Sequence, residues 1–339
     1  MNAPEDPSPT GAFDRAEVIR ILPGLSDGEL PFHGHDRVKE HLMRETARST
    51  QATTVNTPLY RRPLTRILVA GAAVCAVVLA VTLGVGRSGK HATAAPPEPA
   101  AVRLLDRVAL AAQAVPAPTV RDGQFLYTKT LGHSTSLSET AGGGMEAAPT
   151  DESAERWVSV DGTAGTLTRG ARGSRTDPAP GKDKAGLGEP TYRFLETLPT
   201  DPDRLLAAIY ADTRLNHGVG SGSTTGPDQE AFVAIGDLLR TVEAPPGVGA
   251  ALYRAAGRIP GVVLVPRATD AAGRTGIAVA RVHNGERTEW IFDQDGLRLL
   301  GERTVLLKDS VWGKAGTPVT SVAIVARGVT DRAGQVPTG

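Results

Sequence analysis

Charged and polar residues are never far apart along this chain until position 67, where twenty residues pass without a charge: Ile67 to Gly86, ILVAGAAVCAVVLAVTLGVG. At about 1.5 Å per residue a helix of that length crosses the hydrocarbon core of a bilayer, about 30 Å thick. The run predicts one transmembrane helix over 67–86. Arg61, Arg62 and Arg66 precede it, and Arg87 and Lys90 follow it. Positive charge before the run favours a cytoplasmic N-terminus and a C-terminal part outside the cytoplasm, by a margin of three to two. A signal peptide is a poorer reading, because residues 1–66 stand before the run and signal peptides start within the first few positions. A buried helix of a soluble fold rarely stays apolar on every side for this length. Cys75 falls in mid-run and reads as a small apolar filler.

The same patterning divides the remaining chain. Residues 1–66 form a stub with two short helical patterns. Asp14 to Leu22 places Val18, Ile19 and Leu22 on one side and stops at Pro23-Gly24, and Asp36 to Ser49 spaces Val38, Leu42 and Thr46 by four. Neither is long enough to bury a core, so they fold on a partner or stay mostly disordered. Residues 87–100, RSGKHATAAPPEPA, read as a polar linker stiffened by Pro96, Pro97 and Pro99. Residues 101–332 read as one extracytoplasmic α+β domain, and 333–339 as a disordered tail.

Within that domain Ala101 to Ala114 repeats apolar residues at helical spacing (Val102, Leu105, Val108, Ala109). Gln124–Gly132 and Glu155–Val160 alternate apolar with polar residues, as half-buried strands do. Two Gly/Pro-rich stretches, Glu139–Ser153 and Gly170–Pro190, predict mobile loops. Asp201-Pro202 opens a helix running through Ala211, and Asp228–Val242 and Val248–Ile259 predict two more. Five strands follow: Val262–Val265, Gly276–Val282, Thr288–Asp293, Leu297–Lys308 and Pro318–Val329. Asn284-Gly285 and Asp295-Gly296 mark hairpin turns between them. The expectation is an antiparallel sheet with one face covered by the three middle helices. Trp290 and Phe292, two apart on one strand, share the covered face, and Ile291 points to the other.

Composition narrows the function classes. Lys plus Arg and Asp plus Glu each number 37, so the net charge is zero and the chain lacks the cation excess that holds nucleic acid. One cysteine excludes an internal disulfide and a Cys-rich zinc site. Gly and Pro, 39 and 25 of 339 residues, imply long loops beside a modest core.

No catalytic, cofactor-binding or metal-ligating residue emerges. Asp293-Gln294-Asp295-Gly296 has the start of a calcium loop, but the twelfth position is Thr304 instead of a bidentate Glu, so it reads as a turn. His33, His35 and His41 have no cysteine to complete a zinc module. His133, His217 and His283 lack an acid–base neighbour pattern. No serine lies in Gly-x-Ser-x-Gly or Ser-x-x-Lys. Gly218-Val219-Gly220-Ser221-Gly222 has no Lys-Ser/Thr ending, so it reads as a flexible loop and not a phosphate cradle. The expectation is a chain that is not an enzyme and needs no cofactor.

Several strings together carry a family resemblance: Arg37-Val38-Lys39-Glu40-His41-Leu42-Met43-Arg44-Glu45 before the apolar run, Leu198-Pro199-Thr200-Asp201-Pro202, Ala251-Leu252-Tyr253-Arg254-Ala255-Ala256 through Ile259-Pro260-Gly261, Asp270-Ala271-Ala272-Gly273-Arg274, and Ile291-Phe292-Asp293 with Leu300-Gly301-Glu302-Arg303. From about Arg37 to Val329 the chain resembles a family of actinobacterial single-pass membrane proteins of unknown function, often encoded beside extracytoplasmic-function sigma factors. The resemblance implies a curved antiparallel half-barrel like that of lipoprotein carriers and of periplasmic regulators of anti-sigma factors. It brings no catalytic residues. Its functional implication is a membrane-anchored regulator or sensor, with a sigma factor as a possible partner of the stub. The other reading is an outer lipid- or lipopeptide-binding module, with a lipid or envelope ligand, and a hydrolase stands third. Gly301 inside a strand pattern suggests a bulge or a close approach.

Overall fold

The computed structural model describes residues 95–140, 143–181, 185–216 and 226–337. They fall within one compact unit, Val81–Gly339. The predicted stub helices, the 67–86 run with Cys75, the Arg37–Glu45 string and the 218–222 glycines lie outside the described residues. Among the described residues no helix is long and apolar enough to cross a membrane.

Proline starts each of the four long helices: α1 (Pro99–Ala114), α3 (Pro202–Asn216), α4 (Pro227–Thr241) and α5 (Pro246–Ala256). Its fixed φ suits the first turn, where its missing N–H would have no helical partner. Asp201 completes the start of α3, its carboxylate accepting the Arg204 N–H at 2.9 Å. A one-turn helix, α2 (Tyr192–Glu196), is held by the Thr191 hydroxyl, which accepts from Phe194 N. On α1 the stripe Leu104, Leu105, Val108 and Ala109 is buried.

The strands are β1 (Phe125–Glu139), β2 (Met145–Asp151), β3 (Ala154–Ser159), β4 (Thr166–Gly170), β5 (Gly173–Asp177), β6 (Val262–Thr269), β7 (Thr275–His283), β8 (Glu286–Phe292), β9 (Leu299–Leu306) and β10 (Pro318–Thr330). They form one antiparallel sheet in the order β5-β4-β3-β1-β10-β9-β8-β7-β6, with β2 paired to β1. This is the α+β architecture expected from the alternation. Asn284 and Gly285 take φ of 49° and 81° in the β7–β8 turn, the left-handed pair that such a hairpin requires. Gly301 sits beside the β8–β9 register shift. A Cβ there would lie 2.0 Å from the Val322 carbonyl oxygen, so only glycine fits that approach.

One face of the sheet carries the helices. Trp290 stacks on Phe232 of α4 with ring centroids 4.0 Å apart, and Phe292 meets Tyr253 of α5 edge-on at 5.7 Å. Leu252, Ala255 and Ala256 join the same buried cluster as Trp290 and Phe292. α4 comes close at Gly236, where a Cβ would lie 2.6 Å from Trp290 Nε1. The other face has its own small core: Val265, Ala268, Ala278, Ala280, Ile291 and Leu300. The β6–β7 hairpin braces it, Arg274 donating to the carbonyls of Leu300 (2.9 Å) and Ile324 (2.8 Å). Glu289, fully buried on this face, is held between Arg287 and Arg303, with Nε–O distances of 2.7 Å to each.

Four expectations need correction. The stretches read as mobile loops hold β2 and β5, and β4 lies largely between Glu155–Val160 and Gly170–Pro190, where no element was predicted. None of these strands has a fully buried residue, so backbone pairing holds them more than a buried face does. The last residues of the predicted linker are part of the fold: Gly261 N donates to Ala95 O (2.7 Å), Glu98 N to Val262 O (2.8 Å) and Leu264 N to the Glu98 carboxylate (2.8 Å). They satisfy the outer edge of β6, which would otherwise stand unpaired. The predicted disordered tail is fastened through residue 337. Trp157 Nε1 donates to Gln335 O at 2.5 Å, and Pro337 lies against Gly328. This strap hides the Trp157–Tyr127 aromatic pair on the face away from the helices.

Candidate functional site

The alternation that buries Val158 beside the helices also turns Arg156, two residues earlier, to the same face. Register then aligns a row across five strands. Arg156 on β3 stands opposite Thr168 on β4 and Thr128 on β1; Thr168 stands opposite Arg175 on β5, and Thr128 opposite Arg327 on β10. The row reads Arg175, Thr168, Arg156, Thr128, Arg327. Directly opposed residues on neighbouring strands are about 5 Å apart, so the arginines alternate with hydroxyls at about 10 Å spacing.

The C-terminal end of α4 lies over this row. Arg327 Nη2 donates to the carbonyls of Leu239 (2.5 Å) and Arg240 (3.3 Å), and the Thr128 hydroxyl lies 3.5 Å from Thr241 O. Those carbonyls end the helix without intrahelical partners, so cations and hydroxyls belong there. Arg240 pairs with Asp237, and Arg175 with Asp177, at 3.0 Å from Nε.

Arg156 has no such partner. Among the described residues it makes no hydrogen bond or ion pair, and its Nε is buried with nothing to donate to. Burial pushes its pKa down, reinforced by Arg240, while Asp177 and Asp237 pull it back. Four guanidinium groups thus face three carboxylates, Asp177, Asp237 and Glu243, and Arg156 pairs with none of them.

A second buried polar group sits under α3 and α4. Arg281 donates to Gln229 Oε1 (3.0 Å) and Pro260 O (3.0 Å) and lies 3.6 Å from Asp228. Gln229 donates to the Thr288 hydroxyl (3.2 Å), and the Tyr210 hydroxyl donates to Asp228 (2.8 Å). Burial raises the Tyr210 pKa, with the Asp228 hydrogen bond next in size. Every charge in this network is answered, so it fastens α4 to β7 and β8 and asks for no ligand.

The weak sequence candidates stay apart. Asp293 Oδ1 accepts from Asp295 N (3.1 Å) and Gly296 N (2.5 Å), a turn held by its own carboxylate. His133 Nε2 lies 3.4 Å from Pro318 O, and His283 closes the β7–β8 hairpin opposite Glu286. Among the described residues no three His, Cys, Asp or Glu side chains converge as a metal would require. The arginine row escaped the sequence reading because Glu155–Val160 alternates whichever face is buried. Only the pairing of β3 between β1 and β4 reveals the row.

No known family model matches the chain, and no curated protein matches it. Among solved structures it is similar to one titled "Crystal structure of MucB", at 13% identity over 71% of this chain and 61% of that one, with a TM-score of 0.21. The chain therefore spans about three fifths of that protein's length. At such a TM-score the likeness carries neither fold nor function to this chain.

Proposed function

We propose that this is a single-pass membrane regulator. The 67–86 run crosses the bilayer with the stub in the cytoplasm, and the folded α+β unit outside receives a signal. The reading that the sheet is a curved half-barrel, and that the stub meets an extracytoplasmic-function sigma factor, belongs to the same proposal and rests on the family resemblance of the sequence strings. The observation that carries the proposal is the charge-free run Ile67–Gly86 ending so close to folded structure. Residues 87–94 can reach at most about 30 Å when fully extended, so the domain works beside the bilayer surface. We read it as a binding module and assign it no catalysis. An acyl chain between sheet and helices would have to displace Phe232 and Tyr253 from Trp290 and Phe292, which weighs against lipid-tail carriage there. A single helix transmits little by itself, so oligomerisation or proteolysis would pass the signal inward.

The test has two parts. A topology reporter fused after Lys90 should be active outside the cytoplasm and one after Tyr60 inside; the reverse pattern overturns the orientation. The full chain should co-purify with a sigma factor encoded beside it, and a chain lacking residues 1–60 should not. Equal recovery of the two would remove the stub from the proposal.

A further inference from the structure

We propose that the row Arg175–Thr168–Arg156–Thr128–Arg327 is a binding site for an anionic group, a phosphate or a carboxylate, gripped by the Arg156 guanidinium. The inference deepens the regulator reading by giving the outer domain a ligand class, and it rests on that reading only for where the anion comes from.

Three observations converge. The first is the register: five adjacent strands bring three arginines and two threonine hydroxyls into one line on one face. The second is the state of each cation. Arg175 is neutralised by Asp177, and Arg327 is spent on the carbonyls that end α4. Arg156, between them, has no partner among the described residues; the residue is half-buried, and its Nε alone is shut off from water. Two buried charges of this fold are answered in place: Glu289 by Arg287 and Arg303, and Arg281 by Gln229, Pro260 and Asp228. A guanidinium Nε shut off from water with nothing to donate to is unfavourable, and the Nε of Arg327, next in the row, is in the same state. The third is the sign of the surroundings. Around the row Arg240, Arg175 and Arg327 add positive charge to that of Arg156, against three carboxylates, Asp177, Asp237 and Glu243. A cation is repelled here and a neutral group leaves the charge standing, whereas an anion answers it. The planar guanidinium presents a fork of donors that matches two oxygens of a carboxylate or phosphate, and the hydroxyls of Thr168 and Thr128 stand on either side of it.

The source of the anion is separable by experiment, using the full chain in an uncharged detergent. Inorganic phosphate stands for a free anion, and short-chain dihexanoylphosphatidylglycerol for a lipid headgroup, with dihexanoylphosphatidylcholine as the neutral-headed comparison. Calorimetric titration should give saturable binding of phosphate, of phosphatidylglycerol or of both, with a matching rise in unfolding temperature. Phosphate binding alone identifies a free anion, and phosphatidylglycerol binding alone a headgroup; either supports the site. Arg156→Gln should weaken binding at least tenfold, and Arg156→Lys should fall between, because an ammonium keeps the charge and loses the fork. The exposed Arg172→Gln should bind like the parent. Without ligand, Arg156→Gln should unfold at the same temperature as the parent or higher, since it removes an unanswered charge. The proposal is overturned if neither probe saturates the parent, if Arg156→Gln binds within twofold of it, or if unliganded Arg156→Gln melts lower, which would show the guanidinium already satisfied. None of these readings depends on membrane orientation, so failure here leaves the topology proposal standing, and a reversed topology leaves this site standing.

Discussion

Removing the Phe292 ring would open a void between Tyr253 and the small side chains of α5, which cannot close without moving the helix off the sheet. Phe292→Ala should therefore cost about 3–5 kcal/mol in denaturant unfolding; a loss under about 0.5 kcal/mol would mean the ring is not in the core. Tyr253, its edge-on partner, gives a pH signature. Burial pushes its pKa up to about 12. In the unfolded chain a tyrosine ionises near pH 10, about two units lower. The folded state thus keeps the proton longer, and the stability this confers is complete below pH 10 and is lost as pH rises towards 12. Unfolding free energy measured at intervals from pH 9 to 11.5 should fall, and fall less steeply for Tyr253→Phe; parallel profiles would show that Tyr253 does not contribute. At this scale the sequence was informative where one periodicity had one reading. Trp290 and Phe292 stand two apart on one strand, so their shared face was evident. Arg156 was not, because in ERWVSV both faces are covered, one by helices over Val158 and the other by the strap over Trp157.

Elements fastened by backbone pairing left the faintest trace in the sequence. The meander from β6 to β10 was legible because its strands are rich in buried apolar residues and its turns need left-handed residues such as Asn284 and Gly285. β2, β4 and β5 (MEAAPTD, TLTRG and GSRTD) contain no residue that is fully buried. Their hydrogen bonds run to neighbouring strands, and side-chain hydropathy does not record that. The strap was hidden for the same reason: its holding contacts are the Gln335 carbonyl and the Asp331 carboxylate, which accepts from Gln124 (2.7 Å) and Arg121 (3.0 Å). Ending the chain at Thr330 should leave the sheet folded and uncover Trp157. Tryptophan emission should shift to longer wavelength and become more open to acrylamide quenching, with unchanged far-ultraviolet circular dichroism. The same truncation made in Trp157→Phe should shift little. An unchanged spectrum in the truncated parent would mean that something other than the strap shields the ring.

Taken whole, the sheet is joined at its middle by the two strands furthest apart in sequence. β1 and β10 pair from Phe125–Thr330 to Ser134–Thr320, a contact between positions about two hundred residues apart. To one side lie β3, β4 and β5, and to the other β9, β8, β7 and β6. The hairpin signals of the sequence describe each side well and say nothing of this seam, because a long-range pairing has no local turn to announce it. β10 also supplies Arg327 to the end of α4 and the Ile324 carbonyl to Arg274. Without it, a five-stranded group (β1 to β5) and a four-stranded group (β6 to β9) would each expose a long central edge, and the arginine row would be cut. Closing so long a loop costs entropy before any contact offsets it, so the seam should form late and slowly. A chain ending at Thr317 should therefore fail to fold as a unit: it should be digested at protease levels that leave the parent intact, and show no cooperative thermal transition. The chain ending at Thr330, which keeps the seam and lacks only the strap, should resist digestion and melt cooperatively. If the chain ending at Thr317 yields a resistant core containing both β3 and β8, the halves are held by the helices alone and the seam is not what unifies the domain.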